Sequence, residues 1–62
     1  MKNRLRVIRA ERNISQEYLA SKAKITRASL SRIENELQEP SVSTMKKIAS
    51  ALSLKISDIF LL

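Results

Sequence analysis

SQEYLASKAKITRASLSRIEN, residues 15 to 35, carries the signals of two short helices joined by a tight turn, and its reading decides the fold. Ser15 is an N-cap candidate, because its hydroxyl can accept a hydrogen bond from a first-turn amide that has no carbonyl behind it, and Glu17 then lies at the positive end of the helix dipole. Leu19, Ala20 and Ala23 follow on one face, and Ala20 is small enough to let a second helix approach closely. Thr26 repeats the N-cap signal, leaving only Lys24-Ile25 for a turn, with Ile25 apolar enough to plug the gap between the helices. In the second of these helices Leu30 and Ile33 face inward, while Ala28, Ser31, Arg32 and Asn35 fall on the opposite side of a 3.6-residue period.

Working outward, Met1 to Arg12 reads as a preceding helix with Leu5 and Ile8 inward, Lys2, Arg4, Arg6 and Arg12 solvated, and Val7 and Ala10 on the flanks. Asn13 can close it in the left-handed conformation, and Ile14 can staple the entry to the next helix. On the other side, NELQEP from Asn35 to Pro40 is a polar loop ended by a proline that keeps its predecessor out of the helical region. Ser41 caps a fourth helix in which Val42, Met45, Ile48, Ala49 and Leu52 form an apolar stripe, with Lys46 and Lys47 on the wet side. Ile56 to Phe60 reads as a last helical turn, with Leu54, Ile59 and Phe60 closing the core. The prediction is an all-α domain of five helices, residues 1–62, without repeats, linkers or low-complexity segments.

The spacing of Arg9, Ser15-Gln16, Leu19-Ala20, Ile25-Thr26, Leu30-Ser31-Arg32-Ile33-Glu34, Pro40-Ser41 and Ala51-Leu52 resembles the Cro/repressor family of DNA-binding domains, the lambda-repressor-like or XRE type, from about Leu5 to Phe60. The resemblance implies a helix-turn-helix made of the second and third helices, and a partly buried ion pair between Arg9 and Glu34 that spacing alone would not give. It implies base contacts at Arg27, Ala28 and Arg32 of the third helix. Arginine matches guanine through two parallel N–H groups and the Ala28 methyl suits thymine, although each arginine also fits a phosphate. Ser31 shares that face, and Ser29 suits a base edge or a phosphate.

The chain departs from the family in having no glycine. Asn13, Lys24, Glu36 and Ser53 stand where glycine is common, and Lys24, in the turn between the two central helices, is the hardest to accommodate. Glu36 and Glu39 also put negative charge in a loop that in relatives approaches the DNA backbone.

Composition agrees with a polyanion partner and excludes several other classes. Sixty-two residues with a net charge of +6 and a pI near 10.4 carry the electrostatic footprint of a nucleic-acid binder. With neither Cys nor His, disulfides, ordinary zinc sites and imidazole catalysis are out of reach. No catalytic residues, cofactor, metal or small-molecule ligand are expected. The amino end MKNRLRVIRA is too charged for a signal peptide or a span, which predicts a cytoplasmic protein with no membrane role.

Phosphates are expected at helix amino ends, where amides point outward with the positive end of the dipole. That assigns Gln16 with the Ser15 cap, the Thr26 cap, and Ser41 with Val42, and Asn35 is a further phosphate candidate. Lys2, Arg4 and Arg6 are either further phosphate contacts or an ordinary solvated face. One short helix reads few base pairs, and relatives act as two-fold dimers. Ile59-Phe60-Leu61-Leu62 is the candidate dimer patch, unless Phe60 and Leu62 fold back onto the core. The expected function is a double-stranded DNA-binding transcriptional regulator, a repressor, acting as a homodimer. The alternative is a protein-interaction module, such as an antitoxin-like partner on the same fold.

Overall fold

Three hydroxyl residues start three helices. In the computed structural model, which describes residues 1–61, Ser15 accepts from the Tyr18 amide at 2.9 Å, Thr26 from Ser29 at 3.0 Å and Ser41 from Thr44 at 3.1 Å. Each cap satisfies one amide that its helix cannot. The helices are α1 (Leu5–Arg12), α2 (Gln16–Ala23), α3 (Arg27–Glu34), α4 (Val42–Leu52) and α5 (Ile56–Ile59), bracketed by two short strands, β1 (Lys2–Asn3) and β2 (Phe60–Leu61). Helix α2 packs against both α3 and α4. Around it, Leu5, Ile8, Leu30, Ile33, Ile48, Leu52, Ile59 and Phe60 join Leu19, Ala20 and Ala23 in one core, and Ile25 packs against its edge.

All four glycine-poor helix ends close in the same way. Asn13, Lys24, Glu36 and Ser53 adopt φ of 55, 59, 60 and 57°. In each case the amide of that residue donates three positions back and the next amide donates five positions back, as in Lys24 to Ser21 and Ile25 to Ala20. This is the Schellman arrangement, in which the residue after the left-handed one covers the helix end with an apolar side chain. Those residues are Ile14, Ile25, Leu37 and Leu54; all but Leu37 pack against the core. Lys24 therefore makes the same turn as its three counterparts, at ψ 42°, with no distortion of α2 or α3.

Five expectations are corrected. The first helix starts at Leu5, not near Met1: Lys2 and Asn3 pair antiparallel with Leu61 and Phe60, and Arg4 donates to the Ile59 carbonyl at 2.8 Å. Asn3 fixes this crossing, accepting from the Leu5 amide at 3.1 Å and donating to the Ile33 carbonyl at 3.0 Å. The last helical turn ends at Ile59, since Phe60 is extended in β2. Ile59 and Phe60 are 0% and 1% exposed, so they are core and not a dimer surface; the strand turns the Phe60 ring inward. Of that run Leu61 alone is exposed among the described residues, and Leu62 lies outside them. Val42 is 60% exposed because it sits about 70° off the centre of the α4 stripe at 100° per residue. Arg12, expected only to be solvated, donates from Nη1 to the Leu52 carbonyl at 2.6 Å and ties α1 to the end of α4.

Candidate nucleic-acid interface

Helix α3 is held from behind by one buried carboxylate. Leu30 and Ile33 anchor its apolar face, and Glu34 completes that face with a side chain that is 0% exposed. A buried carboxylate costs several kcal/mol unless its oxygens are paired. Arg9 of α1 meets it with a fork, Nε to Oε2 at 2.6 Å and Nη2 to Oε1 at 3.0 Å, while Gln16 of α2 donates from Nε2 to Oε1 at 3.0 Å. Three helices thus converge on one carboxylate. The hydrogen bond to Glu34 raises the Arg9 pKa from its ordinary value; burial opposes this and the carboxylate charge adds to it. The cation therefore persists wherever the carboxylate needs it. The second α1 contact lies at the exposed end of α3, where Arg6 Nη2 donates to Asn35 Oδ1 at 2.6 Å and Asn35 Nδ2 donates to the Ser31 carbonyl at 3.0 Å.

The opposite face of α3 is open. Arg27, Ala28, Arg32 and Asn35 are exposed and Ser31 is half-buried. Gln16, Arg27, Ala28 and Ser31 line one shallow groove between the amino ends of α2 and α3. Ser29, also half-buried, lies to the side of this face, toward the loop. There Gln38 bridges two α3 side chains, accepting from Arg32 Nε at 2.8 Å and donating to Ser29 Oγ at 3.1 Å. Sequence reading gave Gln38 no role and Arg6 only a doubtful one. Neither carries a local signal, because each is defined by what it reaches across the fold.

At the amino ends of α2 and α4 the caps take the third amide of the turn. The amides of Gln16 and Glu17, and of Val42 and Ser43, have no carbonyl one turn behind them and point outward. The hydroxyls of Ser15 and Thr26 are engaged as acceptors and keep only their own protons to offer. Ser41 gives its proton to Thr44 Oγ1 at 3.0 Å, so the backbone amides beside it are what remains there for an anion. Glu39 is turned toward the Met1 amino group, which offsets part of the loop's negative charge.

Positive charge is not spread evenly. Lys22, Lys24, Lys46 and Lys47 line one shallow depression beside the carboxyl ends of α2 and α4, and Lys22, in the last turn of α2, complements the negative end of that dipole. Arg27 has no such role, since it opens α3 at the positive end, whereas Arg32 lies in the last turn of α3. No described helix is long and apolar enough to cross a membrane.

Comparison with known proteins gives the same answer as the geometry. A profile described as helix-turn-helix matches residues 5–59. The immunity repressor protein of Bacillus phage phi105 is 41% identical over 56 residues, which is 90% of this chain and 39% of that protein, so the chain spans about two fifths of the phage protein's length. An HTH-type transcriptional regulator of Methanocaldococcus jannaschii is 41% identical over 61 residues, 98% of this chain and 92% of that one. Among solved structures, the restriction-modification controller protein C.AhdI from Aeromonas hydrophila superposes with a TM-score of 0.87 at 30% identity, covering 92% of this chain and 86% of C.AhdI. The two capped helices around Lys24-Ile25, the fork between Arg9 and Glu34, and these relatives together mean that the chain belongs to the helix-turn-helix family, of the Cro/repressor (XRE) type.

Proposed function

We propose that this protein is a sequence-specific transcriptional regulator of the repressor kind, which lays α3 in the major groove of double-stranded DNA and binds as a two-fold dimer in the cytoplasm. The observation that carries the reading is the composition of the α3 face that the fold leaves open: Arg27, Ala28, Ser31, Arg32 and Asn35 point away from a core that holds α3 through Glu34. The major groove admits a single helix, and its floor distinguishes all four base pairs. In this reading Arg27, Ala28, Ser31 and Arg32 meet base edges, with Ser29 at the margin. Gln16, Asn35, the amides after Ser15 and Ser41, and the Thr26 cap hold phosphates on either side. The negative charges of Glu36 and Glu39 weaken the loop's hold on the backbone.

Dimerisation follows from the arithmetic of recognition. A helix of eight residues is about 12 Å long and covers only a few base pairs, too few to define a site in a genome. Two copies related by a dyad, with half-site centres about 34 Å apart, supply the remainder. Leu61, half exposed at the edge of the β1–β2 ladder, is the described residue of the carboxyl-terminal run that remains available for that contact.

Selection from random duplex DNA tests both parts. A consensus with two inverted half-sites one turn apart is the expected result, with affinity falling steeply as salt rises, by about 0.9 in log–log slope per phosphate contacted. Binding without a consensus would overturn base reading, and a single unrepeated half-site would overturn the dimer. The same titration separates this reading from a protein-interaction module, whose open α3 face would not respond to duplex DNA.

A further inference from the structure

Gln38 lies outside the helix-turn-helix, yet it is hydrogen-bonded to two α3 side chains at once. Arg32 Nε donates to its Oε1 at 2.8 Å, and its Nε2 donates to Ser29 Oγ at 3.1 Å. The amide's orientation is fixed by chemistry: a guanidinium has only donors, so the oxygen must face Arg32 and the NH2 must face Ser29. The backbone delivers Gln38 to this place. Glu36 in the left-handed conformation closes the α3 end, with Glu36 N donating to Ile33 at 3.1 Å and Leu37 N to Arg32 at 2.8 Å, and this reversal carries the next residue back along α3.

We propose that Gln38 is the specificity-positioning residue of the interface, one that fixes how Arg32 reads a base before DNA arrives. A free arginine can offer a guanine either of two edges, Nε with one terminal nitrogen or the two terminal nitrogens together. With Nε already bound to Gln38, Arg32 offers only the terminal pair, whose parallel N–H groups match guanine O6 and N7. The same contact removes rotamers that a long exposed side chain would otherwise lose on binding. Ser29, accepting from Gln38, is left with one proton to donate, so it addresses an acceptor, a phosphate oxygen or a base acceptor. Half-buried Gln38 therefore acts on sequence preference through Arg32, from a loop residue that no base-reading pattern includes.

This inference rests on the assignment of Arg32 as a base reader, and the experiment keeps the two apart. Binding of the full chain to its selected consensus is compared with duplexes substituted at each base pair, and with random duplex, for wild type, Gln38→Met, Gln38→Glu, Arg32→Ala and the double variant Gln38→Met/Arg32→Ala. Gln38→Met keeps the side chain's length but has no hydrogen bonds to give. It should lower discrimination at the one pair that Arg32→Ala relaxes by about tenfold, the scale of one charge-assisted hydrogen bond, while leaving binding to random duplex unchanged. In the Arg32→Ala background it should change nothing further. Gln38→Glu keeps the acceptor for Arg32, so it should retain the preference at that pair while weakening every sequence equally through its negative charge. Unchanged discrimination in Gln38→Met, a uniform loss on all duplexes, or loss of preference in Gln38→Glu would each overturn the positioning role. If Arg32→Ala itself relaxes no pair, the reading beneath fails and takes this one with it, a result visible without any change at Gln38.

Discussion

Replacing Arg9 by alanine is the most severe single change that leaves the apolar core intact. Glu34 keeps a side chain with no exposure and loses both bonds from the arginine fork, retaining only the Gln16 amide at 3.0 Å. Removing one member of a buried pair costs about 3–5 kcal/mol, chiefly because the other charge is stranded. Arg9 is itself 17% exposed, so water can enter beside the truncated side chain, which favours the lower end, about 3 kcal/mol. A chain of 62 residues has only about 3–9 kcal/mol in all, so the variant should be partly unfolded at room temperature. Its melting temperature should fall by about 12–24 °C at 4–8 °C per kcal/mol. Urea unfolding followed by far-ultraviolet circular dichroism measures this. Arg12→Ala is the control: it removes the same charge from the same helix and loses one bond, to Leu52, from an exposed residue, for about 1 kcal/mol. Arg9→Lys should rescue little, since an ammonium cannot reproduce the two-bond fork. The double change Arg9→Met/Glu34→Leu should recover most of the loss, because neither charge is left buried. Equal midpoints for Arg9→Ala and Arg12→Ala would refute the argument, by showing that Glu34 is solvated and the fork contributes nothing.

Lys24→Gly and Glu36→Gly should each stabilise the fold by about 0.5–1 kcal/mol in the same urea experiment, since relief of the left-handed conformation exceeds the entropy added to the unfolded chain; a loss at both would show that their φ angles carry no cost. On DNA, Arg27→Ala and Arg32→Ala should relax sequence preference by about 1–3 kcal/mol at one pair each. Asn35→Ala and Gln16→Ala should instead weaken all duplexes alike, and Gln16→Ala should also lose some stability through Glu34; equal losses on specific and random DNA for Arg32→Ala would remove it from the readers. Phe60→Ala should cost about 3–5 kcal/mol as a core truncation. Leu61→Ser should leave the melting temperature nearly unchanged and weaken cooperative binding to a palindrome, and sedimentation showing one protein per duplex at saturation for wild type would exclude the dimer.

Individual residues show how far local information reached. Ser15, Thr26 and Ser41 were readable as caps because a cap is a relation between a hydroxyl and an amide three residues on. Asn13, Lys24, Glu36 and Ser53 were readable as helix ends by resemblance, although none is glycine, because each follows the last periodic apolar residue. Lys2 and Asn3 misled, since their periodicity continues α1 while their backbone partners, Leu61 and Phe60, lie at the other end of the chain. Arg12 misled in the same way, its acceptor being 40 residues distant.

The sequence by itself determined that there are five helices, the amino-terminal caps of α2, α3 and α4, the inward faces of α3 and of α4 from Met45 onward, and the family. All of these rest on spacings of three or four residues, which the helical repeat turns directly into a face. The tertiary structure alone decided that Phe60 faces the core, that Arg6 reaches Asn35, and that Gln38 holds Arg32 and Ser29. Those are contacts between segments separated by a turn or by most of the chain, and their geometry is set by how α1, α3 and the loop after it pack, which no local period encodes.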